Sequence, residues 1–274
     1  MQNDVSSKTG EGIYRRAAMS LNEITFNGND GIFFERDKDA KKDDKTNKYP
    51  KTQITQEGES ISVVFLKIRR VLASFSKKAS MRTNEHNHKN ETVTLYKADG
   101  KEFGLAKDLR DKYPQLKTQQ VVYCWIPGDK NLTDGRIVRL VVKGSSLGSD
   151  YKHGTEVLKF YDYLQSFAND EHSHEFITEL KPVKEEGPQG DYYAISFVKG
   201  WKLDEAEAEF VATTIDDIHE RITAIDDRLK ANFGKPMDAA VPADATVDED
   251  VEDIPTIQQG DDTGSDVDVD SIPF

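Results

Sequence analysis

Between residues 20 and 200 the chain is a succession of strand-length apolar runs, each closed by turn residues, and this punctuation constrains the fold more than any other feature. The clearest pair is QQVVYCWIPG (119–128) and GRIVRLVVKG (135–144), joined by a Gly/Asp/Asn-rich loop. SLNEITFNGNDGIFFERD (20–37) predicts a hairpin turning at Asn-Gly and Asn-Asp-Gly, and ETVTLYKADGKEFGL (91–105) a second one turning at Ala98-Asp99-Gly100. EFITELKPVKEEGPQGDYYAISFVKG (175–200) reads as a third, around Gly-Pro-Gln-Gly. SISVVFLKIRRVLASFS (60–76) starts β-branched and predicts a buried strand that becomes solvent-facing. Many short strands separated by turn signals point to a closed or partly closed β architecture.

Two segments break this pattern with helical spacing. In GTEVLKFYDYLQSFAND (154–170), Val157, Phe160, Tyr161, Leu164 and Phe167 fall on one face. In 203–234, Phe210, Ile215, Ile218, Ile222, Ile225 and Leu229 do the same, and Gly234-Lys235-Pro236 stops the run. The expected fold is mainly β with packed helices (α+β).

Charge is divided unevenly along the chain. Of the formal net charge of −13, residues 235–274 carry −11, from twelve Asp or Glu against one Lys, which leaves −2 for residues 1–234. So acidic a segment, with few large apolar residues, cannot bury enough surface to offset its ordering entropy, and a disordered tail is expected. It serves either as a solubilising segment or as an interaction tail. The predicted organisation is a flexible N-terminal arm (1–12), a folded body (13–234) and the acidic tail (235–274).

The last ten residues, S-D-V-D-V-D-S-I-P-F, put an aspartate run before Ile-Pro-Phe. Diffuse negative charge, an apolar ring and a terminal anion together suit a partner pocket with a greasy floor and a basic rim. This stretch resembles the acidic C-terminal tip of bacterial single-stranded DNA-binding proteins. The resemblance implies an oligonucleotide-binding (OB-type) β-barrel that holds the DNA, and a tip that recruits replication, recombination and repair proteins. Carried over by position, Ile272, Pro273 and Phe274 are the docking residues, and Asp266, Asp268 and Asp270 supply the electrostatic part. Ser271 stands where the family's tip is usually acidic, and the body exceeds a minimal OB domain, so a divergent or phage-encoded member is implied. Asp253-Ile254-Pro255, after its own acidic run, echoes the tip.

A single-strand binder needs aromatic platforms for bases and cations for phosphates. Alternation in VVYCWI puts Tyr123 and Trp125 on one face and Val122, Cys124 and Ile126 on the other. If the second face is core, Tyr123 and Trp125 meet a ligand; if the faces are reversed they are core residues. The candidate cations are Lys67, Arg69, Arg70, Lys77, Lys78, Arg82, Arg136 and Arg139, with Lys143 beside them, and Tyr96 and Phe103 are further stacking candidates.

Other classes find less support. The one cysteine, Cys124, excludes an internal disulfide and any multi-thiolate zinc site. His86-x-His88 and His172-x-His174 lie in no ligand spacing that defines a metal site, and no phosphate loop, nucleophile elbow or zinc-protease helix occurs. No catalytic residue, cofactor or metal is assigned. Neither an apolar run of about 18 residues nor a basic-then-apolar start is present, so a cytoplasmic protein without membrane partners is expected. The alternative reading is a replication-associated adaptor, or a small nucleic-acid enzyme, carrying the same tip.

Overall fold

A computed structural model describes residues 21–38, 40–43, 49–74, 80–97, 100–128, 132–148, 158–167, 170–187 and 190–231. The expected arm (1–12) and acidic tail (235–274) lie outside the described residues. Mainly β structure with a few helices is what the chain forms. The strands are β1 (Glu23–Asn27), β2 (Ile32–Arg36), β3 (Lys51–Gln53), β4 (Ile61–Ala73), β5 (Arg82–Thr83), β6 (Thr92–Lys97), β7 (Gly100–Leu105), β8 (Lys117–Ile126), β9 (Arg136–Val142), β10 (Phe176–Gly187) and β11 (Gly190–Lys202). The helices are α1 (Ala106–Lys112), α2 (Phe160–Gln165) and α3 (Glu205–Ala231).

The strands pair in the order β3-β2-β1-β9-β8-β4-β5-β6-β7, and β10 joins β4 while β11 pairs β10. All three predicted hairpins form. Strand β4 is shared: its first residues pair β10 (Thr178 with Val63), and from Val64 onward it pairs β8. A register shift between Phe65 and Lys67 lies within the β8 ladder, just after the change of partner. The path then turns back on itself. Tyr193 N–H donates to the carbonyl of Gly28 at 2.6 Å, so β11 touches the β1–β2 turn. One hydrogen bond is not a ladder, and among the described residues the sheet is not closed.

Each face of the central strands carries its own apolar layer. On one side Ile24, Phe33, Phe65, Ile68, Val122, Cys124, Val138 and Leu140 pack on Phe160, Tyr163 and Leu164 of α2 and on Leu180, Ile195 and Phe197 of the β10–β11 hairpin. On the other, Val64, Leu66, Val71, Val121, Tyr123 and Trp125 lie under Val211, Ile218 and Ile222 of α3. A third cluster (Leu72, Met81, Val93, Leu95, Ala106, Leu109, Leu116) fills an arm made of β5, β6, β7 and α1.

Two expectations need correction. Strand β4 does not become solvent-facing; Lys67 is its only residue after Ser62 that is not buried, because α3 and the arm cover its second half. The helix expected over 154–170 begins at Phe160, since Leu158 is held in a bridge to Phe197. The helix expected over 203–234 is α3, and Ile218 and Ile222 are buried while Phe210 and Ile215 are partly so. Helix α1, short and largely polar, has no counterpart among the expectations. No helix of the described residues is long and apolar enough to cross a membrane.

Candidate nucleic-acid interface

Strand alternation brings Tyr123, Trp125, Arg69, Arg139 and Lys67 to the same face of the β4–β8–β9 sheet, since Lys67 pairs Tyr123, Arg69 pairs Val121 and Tyr123 pairs Arg139. That face is not open. The Trp125 indole is 9% exposed, meets Phe210 of α3 edge-on at 4.9 Å and donates its Nε1–H to the Leu132 carbonyl at 2.6 Å. The Tyr123 hydroxyl donates to Glu85 Oε2 at 2.7 Å. Tyr123 and Trp125 therefore do not form an exposed stacking platform. Strand β8 is central in the sheet, and both of its faces are covered.

The cations on this face are engaged as well. Arg69, 2% exposed, holds Asp226 of α3 through two bonds of 2.7 and 2.9 Å and gives a third, of 2.7 Å, to the Glu85 carbonyl. Arg139 Nη2 donates to Glu85 Oε1 at 2.7 Å. Glu85 thus carries Tyr123 and Arg139 on its two oxygens. Burial pushes its carboxyl up, but Arg139, Arg69 and the Tyr123 hydroxyl outweigh that and hold it below the usual carboxylate range. Burial likewise works against the charge of Arg69, and Asp226 and Glu85 restore it. Lys67 is the exception: partly buried, with no ion-pair partner among the described residues, its ammonium is pulled down by burial and by neighbouring Arg69.

The remaining candidates scatter. Alternation puts Arg70 on the opposite face from Arg69, across from Gln120, and it is buried. Arg82 and Tyr96 are paired neighbours on the arm and partly buried, with the Lys101 ammonium 5.3 Å from the Tyr96 ring centre. Arg136 is ion-paired with Glu35 beside an open cleft of about 480 Å³ walled by Ile54, Ile61, Ile126 and Pro127. Lys143 follows β9 and is partly buried. Lys77, Lys78 and the docking residues Asp266, Asp268, Asp270, Ile272, Pro273 and Phe274 lie outside the described residues.

The arm is open to solvent on its outer surface. The arm itself, residues 82–112, holds seven Lys or Arg against six Asp or Glu, a net of +1 in a chain whose total is −13; the wider stretch 67–117 reaches +7 only by including Lys67, Arg69 and Arg70 of β4, Lys117 of β8, and Lys77 and Lys78, which lie outside the described residues. Lys101, Lys107, Arg110, Lys112 and Lys117 are exposed there, as are Phe103 and Leu105 on alternate residues of β7. Glu102 organises part of this surface by accepting from Lys112 Nζ and the Tyr113 hydroxyl, both at 2.6 Å, and from Lys97 Nζ at 3.2 Å. Those bonds hold its carboxyl down at about 2. Cations beside accessible rings are the chemistry that takes up a phosphate backbone and its bases.

Three residues of consequence were not singled out in the sequence. Glu85 and Asp226 carry no local motif, and Asp226 meets Arg69 across 157 positions. Trp201, 62% exposed at the end of β11, is the most exposed large hydrophobic side chain among the described residues. Alternation from buried Ile195 and Phe197 would have set it on the inward face; the strand pairing changes register in the ladder's last turn, between Phe176 and Thr178. His172 and His174 stack at 5.2 Å in a capping turn, and no cluster of three or more His, Cys, Asp or Glu among the described residues is arranged to hold a metal ion. Comparison of the chain with protein-family models, curated proteins and solved structures gives no match.

Proposed function

We propose that this protein binds single-stranded DNA without strong sequence preference through an OB-type core, and that its acidic tail engages proteins of replication, recombination and repair. The observation that carries the reading is the order of connections. A long strand shared by two neighbours (β4), a hairpin beside its second half (β8–β9), a helix (α2) and a hairpin returning to its first half (β10–β11) follow the plan of a five-stranded, partly open Greek-key barrel. The β1–β2 hairpin occupies the seam where such a barrel would close.

OB-type proteins take oligonucleotides on their second and third strands and on the loop between the first and second. Here β8 and β9, the strands in those positions, are covered, and the loop between β4 and β8 carries the arm, whose surface presents Lys101, Lys107, Arg110 and Lys112. The tail's resemblance to the tips of bacterial single-stranded DNA-binding proteins supports the same reading from an independent part of the sequence.

The test is a titration of fluorescent oligo(dT), duplex DNA and single-stranded RNA at several salt concentrations. Tightest binding to oligo(dT), falling linearly on a log–log salt plot, is expected. Changing Lys101, Lys107 and Lys117 together to Gln is expected to reduce the salt slope by about 1 for each phosphate that is no longer neutralised. Preference for duplex, or binding indifferent to salt and to these substitutions, would overturn the reading.

A further inference from the structure

The outer face of β4 holds two cations that the fold does not fully use. Arg69 is almost completely buried, yet its Nε has no hydrogen-bond partner, while its other nitrogens hold Asp226 and the Glu85 carbonyl. Lys67, two residues earlier on the same face, has no ion-pair partner among the described residues and feels the positive charge of Arg69. Three cations on this face, Lys67, Arg69 and Arg139, therefore meet two carboxylates, Asp226 and Glu85, and both oxygens of Glu85 are already taken by Tyr123 and Arg139. Burying like charges together is unfavourable unless an anion completes the set.

The carboxylate that sits there comes from the weaker half of α3. Its first part is anchored by Val211, Thr214 and Ile218, and by Phe210 against Trp125. Beyond Ile222 no residue of the helix is buried; Ile225, Asp226 and Leu229 are only partly covered. A carboxylate gripped by two parallel N–H bonds of a guanidinium has the geometry of a phosphate gripped by the same fork.

We propose that Arg69 and Lys67 form a site for a backbone phosphate of the bound strand, and that Asp226 occupies it in the free protein, so that binding lifts the last turns of α3. This rests on the single-strand reading for its ligand, and it gives that reading a means of regulation: the network under α3 becomes accessible only when a polyanion displaces Asp226. Substitution of Asp226 then stands in for the displacement.

The experiment compares D226N with D227N, an equal charge change at an exposed neighbouring position, using oligo(dT) and inorganic polyphosphate as separate probes. D226N is expected to bind both about tenfold more tightly than D227N, the worth of one charge-assisted bond to phosphate. Adding K67Q should remove most of that gain and lower the salt slope by about 1. If D226N does not fold, hydrogen exchange on the wild-type protein takes its place: amides of residues 223–231 should lose protection when polyphosphate is added. A gain with polyphosphate but no binding of oligo(dT) to any variant keeps the site and overturns the single-strand reading. Equal behaviour of D226N and D227N with both probes, or unchanged protection of residues 223–231 in polyphosphate, overturns the site itself.

Discussion

Trp125 shows how much a single residue's role depends on what covers it. Alternation in VVYCWI pairs it with Tyr123 on one face, and it does stand there, but α3 lies over that face and Phe210 meets the indole. Replacing Trp125 by Ala removes a large buried ring and leaves the Leu132 carbonyl without its donor. A loss of about 3–5 kcal/mol in urea unfolding is expected, so weakened DNA binding by this variant would report on the fold rather than on stacking. His86 offers a second measurement at this scale. Its backbone pairs with Arg70, its Nδ1–H donates to the Asn84 carbonyl at 3.2 Å, and burial lowers its pKa to about 4. Below pH 6.5 the unfolded chain takes up a proton that folded His86 refuses. Stability therefore declines as pH falls from 6.5 toward 4, by roughly 1.4 kcal/mol per pH unit once well below 6.5. Urea midpoints between pH 7 and 5, above the range where ordinary carboxylates titrate, should fall in the wild type and fall less in His86→Gln.

At the scale of elements, the seam between the β1–β2 hairpin and β11 depends on a backbone position that suits glycine. Gly31 has φ of +64°, and a Cβ added there would stand 2.9 Å from the Tyr193 ring, next to the one backbone bond from Tyr193 to Gly28. Gly31→Ala is expected to cost about 1–3 kcal/mol and to raise hydrogen exchange at the Tyr193 amide more than at β8. Unchanged exchange at Tyr193 would show that this contact does not hold the seam. The strands and α3 were legible because period-two and 3.6-residue patterns are local properties of the chain. Layer order was not legible. Lys67, Arg69 and Arg70 in one short run read as a strand emerging into water, whereas Arg69 is buried because a carboxylate 157 residues away meets it. Nothing in the neighbourhood of Asp226, one acid among many on α3, distinguishes it from Asp227 beside it. The Lys and Arg residues could be read directly from the sequence, but not which of them are exposed, because Arg69 and Arg139 are held by Asp226 and Glu85, which are distant in the chain.

Across the whole molecule the decisive quantity is the separation of charge, −11 in residues 235–274 against −2 in residues 1–234, where Lys101, Lys107, Arg110, Lys112 and Lys117 stand exposed on and beside the arm. A tethered polyanion is present at high effective concentration near any cationic surface of its own chain, so on the proposed function it competes with DNA phosphates for the arm without needing a defined contact. Such competition is electrostatic and long-ranged at low salt, and it fades as the screening length falls below the spacing of the charges. Removing residues 235–274 is therefore expected to tighten oligo(dT) binding several-fold at about 50 mM salt, with the two proteins converging as salt is raised. This pattern separates the tail from Asp226, whose effect passes through one short-range ion pair and should survive higher salt. Combining the deletion with D226N tests that separation: the two gains should multiply at low salt, and only the D226N gain should remain at high salt. If the deletion leaves affinity unchanged across the whole salt series, the tail does not reach the arm, and its charge acts elsewhere.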